Sequence, residues 1–162
     1  FSTIPDGTIA PGTDQVLGTY TDKDLGTQIG LVTVHFMTQS EAGVPGPVGY
    51  LKAGPQVFLE AGGISIDMET LEDVVDPTRN WYNTEFSMNF ELNSTAPGML
   101  TMVGYRNNTV IASREVFLDP SVQSYNATIT APEGQQFDDV TVVTDVPVTY
   151  NHWEIEIIVF DP

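Results

Sequence analysis

The feature that most constrains this chain is strict alternation. From Glu85 to Leu92, Phe86, Met88, Phe90 and Leu92 fall on one side and Glu85, Ser87, Asn89 and Glu91 on the other. A period of two belongs to a strand with one dry face and one wet face, which is how an antiparallel sheet packs on a core. The C-terminal stretch Trp153 to Phe160 repeats the pattern, with Trp153, Ile155, Ile157 and Val159 on one face and Glu154 and Glu156 opposite. Further strands are expected over Gln28–Thr38, Gln56–Glu60, Gly63–Met68, Met99–Tyr105, Thr109–Phe117, Ser124–Thr130 and Asp139–Thr149. Pro147 should interrupt the last of these.

Turn chemistry punctuates the strands. Arg106-Asn107-Asn108 reads as a hairpin turn, because Asn tolerates positive φ. Ala42–Gly49, Ala96-Pro97-Gly98 and Ala131–Gly134 read as connections. Only Glu69–Val75 reads as helix, stopped by Pro77. About eight or nine short strands at this spacing imply an all-β, antiparallel β-sandwich, with the jelly roll as its nearest form. The expected organisation is an extended N-terminal arm over residues 1–16 and one sandwich domain over residues 17–162. The arm alternates weakly before Pro11-Gly12, and it could be a loose chain end or could add a strand to a neighbouring subunit.

Charge narrows the partners. The 162 residues carry 22 Asp+Glu against 5 Lys+Arg, a formal net charge of −17. No basic patch exists to meet phosphate, so nucleic acid is an unfit partner. No apolar run approaches the roughly 18 residues of a membrane helix, so membrane insertion is not expected. Hydrophobic residues at 41% exclude an acidic disordered tail. Cysteine is absent, which removes disulfides and thiolate metal sites. Hard cations remain as the natural counter-charge, calcium or magnesium above all.

The acidic stretch Asp67, Glu69, Glu72, Asp73 and Asp76 is the candidate metal site. Asp67 and Glu69 share a face if the segment is a strand; Glu69, Glu72 and Asp73 share one if a helical turn follows. Either arrangement gathers two or three carboxylates, although a solvated acidic face would have the same composition. Asp22 and Asp24 form a smaller acidic pair in an expected loop, a turn former by itself and a ligand pair only if another subunit donates the remaining oxygens.

Three sequons, at Asn93, Asn107 and Asn126, are candidate N-glycosylation sites in or beside turns and strand ends. With a first residue Phe1 in place of Met, as signal removal would leave, they lead us to expect an extracellular or cell-surface protein. Catalysis finds little support. His35 and His152 are the only histidines, and both read as packed or structural residues. Neither a nucleophile elbow nor a phosphate loop is present. Trp81, Tyr82, Tyr105 and Trp153 could stack on sugar rings or could cap the core. A secreted, calcium-stabilised carbohydrate-binding sandwich is therefore one reading of the chain.

Two segments point elsewhere. Ile64–Leu71, Pro77-Thr78-Arg79, Trp81 and Asn83–Phe86 form the first; Gly7–Gly12, Asp24-Leu25-Gly26 and the apolar strand from Ile29 form the second. Together they resemble cannula proteins, the extracellular tube-forming subunits of hyperthermophilic archaea. That resemblance implies a jelly-roll subunit of a homopolymer, in which an N-terminal strand completes the sheet of an identical neighbour and calcium stabilises the contacts. On this chain the implied arm runs from Phe1 to about Gly12, with Phe1, Ile4 and Ile9 as its apolar contacts, and the implied acidic positions are Asp67, Glu69 and Asp24.

Overall fold

The computed structural model describes the chain apart from residues 2, 22–27, 71–79 and 161–162, and describes the backbone alone for 18–21, 28–31, 68–70, 80–84 and 154–160. Twelve strands and one short helix are present among the described residues. In order they are β1 (Gly7–Ile9), β2 (Asp14–Thr21), β3 (Gln28–Phe36), α1 (Gln39–Ala42), β4 (Tyr50–Ala53), β5 (Gln56–Leu59) and β6 (Gly62–Thr70). They continue as β7 (Asn80–Leu92), β8 (Gly98–Arg106), β9 (Thr109–Leu118), β10 (Ser124–Thr130), β11 (Asp139–Thr144) and β12 (Val148–Phe160).

Two six-stranded antiparallel sheets face each other. The first runs β1-β4-β5-β12-β7-β10 and the second β2-β3-β6-β11-β8-β9. The last eight strands divide as β5-β12-β7-β10 against β6-β11-β8-β9, which is the jelly roll, two four-stranded sheets filled by a chain that keeps crossing between them. The first four strands only widen these sheets, β1 and β4 beyond β5, β2 and β3 beyond β6.

The alternation read from the sequence sets the faces. Phe86, Met88 and Phe90 of β7 are fully buried, and Val34, Phe36, Ile64, Ile66, Val140, Val142, Leu100 and Met102 meet them from the second sheet. Each such side chain contributes about 1.5–3 kcal/mol by leaving water. Glu60 and Ala61 cross from β5 to β6, which opens on Gly62 and Gly63. A Cβ on Gly62 would lie 2.3 Å from the Tyr50 hydroxyl, and its φ is +131°, so only glycine fits. The close approach lets the Tyr50 hydroxyl accept from the Gly63 N–H at 2.9 Å and donate toward the Met37 carbonyl at 2.8 Å. A buried polar tip is thereby satisfied.

Several boundaries differ from the sequence reading. The strand β12 starts at Val148, five residues before Trp153, because Pro147 ends the turn after β11 and leaves the rest of the chain free to pair. Glu69 does not begin a helix: Glu69 and Thr70 pair with Leu31 and Gly30 as the end of β6, and 71–79 lie outside the described residues. The helix that does form is α1. Thr38 caps it, accepting from Glu41 N while Glu41 accepts from Thr38 N at 2.9 Å, and Gly43 ends it at φ +68°.

The N-terminal residues lie on their own domain. β1 pairs with β4 at Gly7↔Lys52, Thr8↔Leu51 and Ile9↔Tyr50, forming the edge of the first sheet. Ile4 and Ile9 are 3% and 6% exposed and belong to the core, with Phe1 packed against it. No break falls at residue 16, since β2 already runs from Asp14 and pairs with β3.

Candidate functional site

The outer face of the first sheet carries an arrangement that charge patterning alone would not produce. Gln56 on β5, Asn151 on β12, Asn89 on β7 and Asn126 on β10 form one row across four strands. Gln56 Nε2 donates to Asn151 Oδ1 at 2.7 Å, Asn151 Nδ2 to Asn89 Oδ1 at 2.7 Å, and Asn89 Nδ2 to Asn126 Oδ1 at 2.9 Å. Three strand spacings make this ladder about 14 Å long. Beside it the Ser87 and Thr128 hydroxyls share a hydrogen bond of 2.7 Å, and exposed His152 closes a shallow depression with Ser87, Asn89, Asn126 and Thr128.

A β-bulge builds the row. The pairing of β12 with β7 shifts between Tyr150 and His152, so that Tyr150 faces Phe90, His152 faces Asn89 and Asn151 is the extra residue. Tyr150 is fully buried, whereas Asn151 and His152 both reach the outer face. Without the extra residue, strict alternation would bring only one of the two outward. The register recovers at once, because Trp153 faces Met88 and stacks on Phe86 with centroids 6.1 Å apart.

The ladder is neutral in a chain of net charge −17. Each amide offers two N–H groups and two lone pairs and spends only part of them on its neighbours. What remains is a line of alternating donors and acceptors at the surface. Toward β4 the same face turns apolar: Phe58, two residues beyond Gln56, is 36% exposed and lies opposite Leu51, 46% exposed. With Thr8, Glu60 and Pro147 they line a second depression.

The second sheet carries a charged cluster of another kind. His35 faces outward, not into the core as its apolar strand implied, because Val34 and Phe36 take the inward positions. Its Nδ1 lies 2.6 Å from Asp14 Oδ1 and its Nε2 2.8 Å from Glu41 Oε2. Desolvation lowers its pKa, but the hydrogen bonds and charges of Asp14 and Glu41 outweigh this and raise it above the usual histidine value. On the same face Asp139 stands opposite both Asp67 and Tyr105. Burial, with Asp67 and Asp138 adding repulsion, lifts its pKa to about 6 despite a 2.7 Å hydrogen bond from Ser65 Oγ.

The sequence-derived sites fall as follows. Asp67 is exposed on β6. Glu69 continues that strand, its side chain outside the described set, and Glu72, Asp73, Asp76, Asp22 and Asp24 lie outside the described residues. Among the described residues no group of three or more His, Asp or Glu side chains is placed to hold a metal ion. Backbone register nonetheless pairs Gly30 with Thr70, so the acidic connections 22–27 and 71–79 attach at one end of the second sheet. Of the candidate stacking aromatics, Trp153 turns inward, Tyr105 is half-buried on β8, and the side chains of Trp81 and Tyr82 lie outside the described set.

The sequons separate cleanly. Asn107 is at the tip of the β8–β9 hairpin, where Asn107 and Asn108 take φ of +50° and +63° as the turn chemistry predicts. Asn93 is exposed after β7 and donates through Nδ2 to the Thr149 hydroxyl. Asn126 is in the middle of β10, not in a turn, and is the last rung of the ladder.

No protein-family model and no curated protein matches the chain. Among solved structures it is similar to a CBM4 domain, with TM-score 0.43 and 11% identity over 78% of this chain and 87% of that one. A family 29 carbohydrate binding module from Piromyces equi gives TM-score 0.42 and 14% identity over 91% and 89% of the two chains. CsCBM6-3 from Clostridium stercorarium, in complex with cellobiose, gives TM-score 0.37 and 10% identity over 89% and 92%. The jelly-roll assignment stands on the strand order of this chain itself.

Proposed function

We propose that this chain is a non-catalytic carbohydrate-binding β-sandwich that holds a neutral oligosaccharide against the outer face of its first sheet. The observation that carries the reading is the amide ladder from Gln56 to Asn126. A polyol offers closely spaced hydroxyls, each donor and acceptor at once, and a row of fixed amides matches that chemistry with no charge to desolvate. The apolar shelf of Phe58 and Leu51 suits the C–H face of a sugar ring. A length of about 14 Å fits a short oligosaccharide better than one ring. A catalytic role has less to stand on: both ring nitrogens of His35 are engaged by carboxylates, leaving neither to act as a base.

The test is a glycan array followed by calorimetry with Asn89→Ala and Asn151→Ala. Selective binding of neutral glycans that weakens about tenfold or more in both variants supports the reading. Absence of binding across the array removes it.

A second reading, self-assembly into an extracellular filament of identical subunits, is favoured by β1. This strand is held by three register pairs at the sheet edge, between Gly7 and Gly12 at φ of +127° and +88°. It carries Ile9 into the core with Ile4 just before it, so the same segment would fill the same groove on a neighbour. Electron microscopy of the protein with millimolar calcium and with chelator tests this reading: filaments support it, and monodisperse particles under both conditions remove it.

A further inference from the structure

Asn126 belongs to the ladder and to a sequon at once, and the two roles meet at one atom. The ladder has a direction. Every amide nitrogen from Gln56 onward donates to the carbonyl oxygen of the next rung, and the series ends on Asn126, whose Oδ1 accepts and whose Nδ2 has no acceptor among the described residues. Nδ2 is the atom that N-glycosylation uses. Asn126 is exposed, and it shares its outward face with Thr128, the third sequon residue, two positions along the strand.

The other sequons lack this combination. Asn107 stands at a hairpin tip of the second sheet. Asn93 has its Nδ2 committed to Thr149. Only at Asn126 would a glycan start inside the row of amides, one strand from Asn89 and two strands, about 10 Å, from His152.

We propose that Asn126 is an N-glycosylation site whose glycan lies back over the amide ladder and closes that face from within the chain. Attachment joins Asn126 Nδ2 to C1 of an oligosaccharide donated by a lipid pyrophosphate. The N–C bond forms, the C–O bond to pyrophosphate breaks, one amide proton is lost and the lipid pyrophosphate leaves. Asn126 Oδ1 keeps its bond from Asn89, so the ladder survives the modification. The glycan then meets the surface chemistry proposed above for a free oligosaccharide, at the effective concentration of a tether. That consequence for ligand binding rests on the proposed function; modification and coverage do not.

Timing follows from the fold. In the folded chain β10 is paired with β7 over seven positions, and the Thr128 hydroxyl is tied to Ser87. Transfer therefore belongs to the interval before this long-range pairing closes, and non-local pairing of this kind is slow.

His152 reports coverage without reference to any ligand. The chain is produced in a glycosylating eukaryotic host and in a bacterial host without the pathway, and occupancy at Asn126 is read by peptide mass. Diethyl pyrocarbonate modification is then followed at both histidines, with His35 on the other sheet as the internal reference. We expect Asn126 to be occupied, His152 to react at least about fivefold more slowly in that form, and His35 to be unchanged. Trimming the glycan to its first sugar should restore the rate. An unmodified Asn126 in molecules that carry a glycan at Asn107 overturns the proposal, and so does equal reactivity of His152 in the two forms. Thr128→Val, made in the eukaryotic host, should restore fast modification, and Thr128→Ser should not. Cellohexaose as a neutral linear probe separates the two readings. Its failure to bind the bacterial product while His152 is still shielded by the glycan counts against the proposed function alone. Equal binding to both forms while His152 is shielded places the cellohexaose site off the ladder and likewise counts against the proposed function.

Discussion

Asn89 is the residue on which the face turns, because it accepts from Asn151 and donates to Asn126. Truncation to Ala leaves half-buried Asn151 and exposed Asn126 each one hydrogen bond short. The expected loss of stability is about 1 kcal/mol, read by denaturant unfolding. Asp139 gives a prediction with the opposite sign. Its pKa is about 6 in the folded chain, above the ordinary aspartate value, so the folded state holds the proton more tightly than the unfolded one. That stabilisation is complete below about pH 4, where both states are protonated, and is lost as pH rises through 6. Asp139→Asn should therefore stabilise the protein at pH 8, on the order of 1 kcal/mol after solvent screening, and the advantage should vanish by pH 4. Thermal unfolding across that range decides it; a pH-independent difference would mean that Asp139 is not the titrating group. His35 works the same way one step higher. Its raised pKa stabilises the fold below about pH 6.5 and the benefit fades as pH rises through the folded value, so His35→Gln should flatten the alkaline side of the profile.

The bulge in β12 decides which side chains of that strand reach the outer face. Deleting Asn151 removes the extra residue and allows Tyr150 and His152 to follow each other in regular pairing. The sandwich should still fold, with Tyr150 buried and Trp153 on Phe86, while Gln56 loses its link to Asn89. Glycan binding should fall as far as in Asn89→Ala, with a thermal midpoint within a few degrees of the parent; unfolding of the variant would make the bulge a requirement of the fold instead. Strands were legible where alternation ran long: β10 matches its expected bounds, and β7, β8 and β9 contain theirs. β1 and β4, with three and four residues, are too short to show a period. The capping box Thr38-x-x-Glu41 was a readable signal for α1 that the hydrophobic pattern overshadowed. The ladder was hidden for a different reason. Its rungs are up to 95 residues apart in sequence, and each alone is an ordinary polar residue on a wet face. Only the use of amides where this chain otherwise favours carboxylates set Asn89 and Asn151 apart.

At the scale of the molecule, a net charge of −17 works against compaction, and the register adds to the repulsion by placing Asp67 opposite Asp139. Repulsion between exposed charges is screened over about 10 Å at 0.1 M salt, so sodium chloride should raise the thermal midpoint by a few degrees between low and moderate ionic strength. Screening makes no distinction between ions of equal ionic strength, whereas coordination does. Calcium prefers several carboxylate oxygens held together, and Asp67 and Glu69 are the acidic positions of β6 that could contribute them. Calcium chloride should then exceed sodium chloride at matched ionic strength, by an increment that grows with calcium concentration as binding to the folded state requires. In Asp67→Asn with Glu69→Gln the increment should shrink, while the sodium response, which depends on total charge, changes little. Scanning calorimetry of both proteins in both salts separates the two effects. Coincident calcium and sodium curves in the parent would reduce the acidic end of the sheet to a solvated surface.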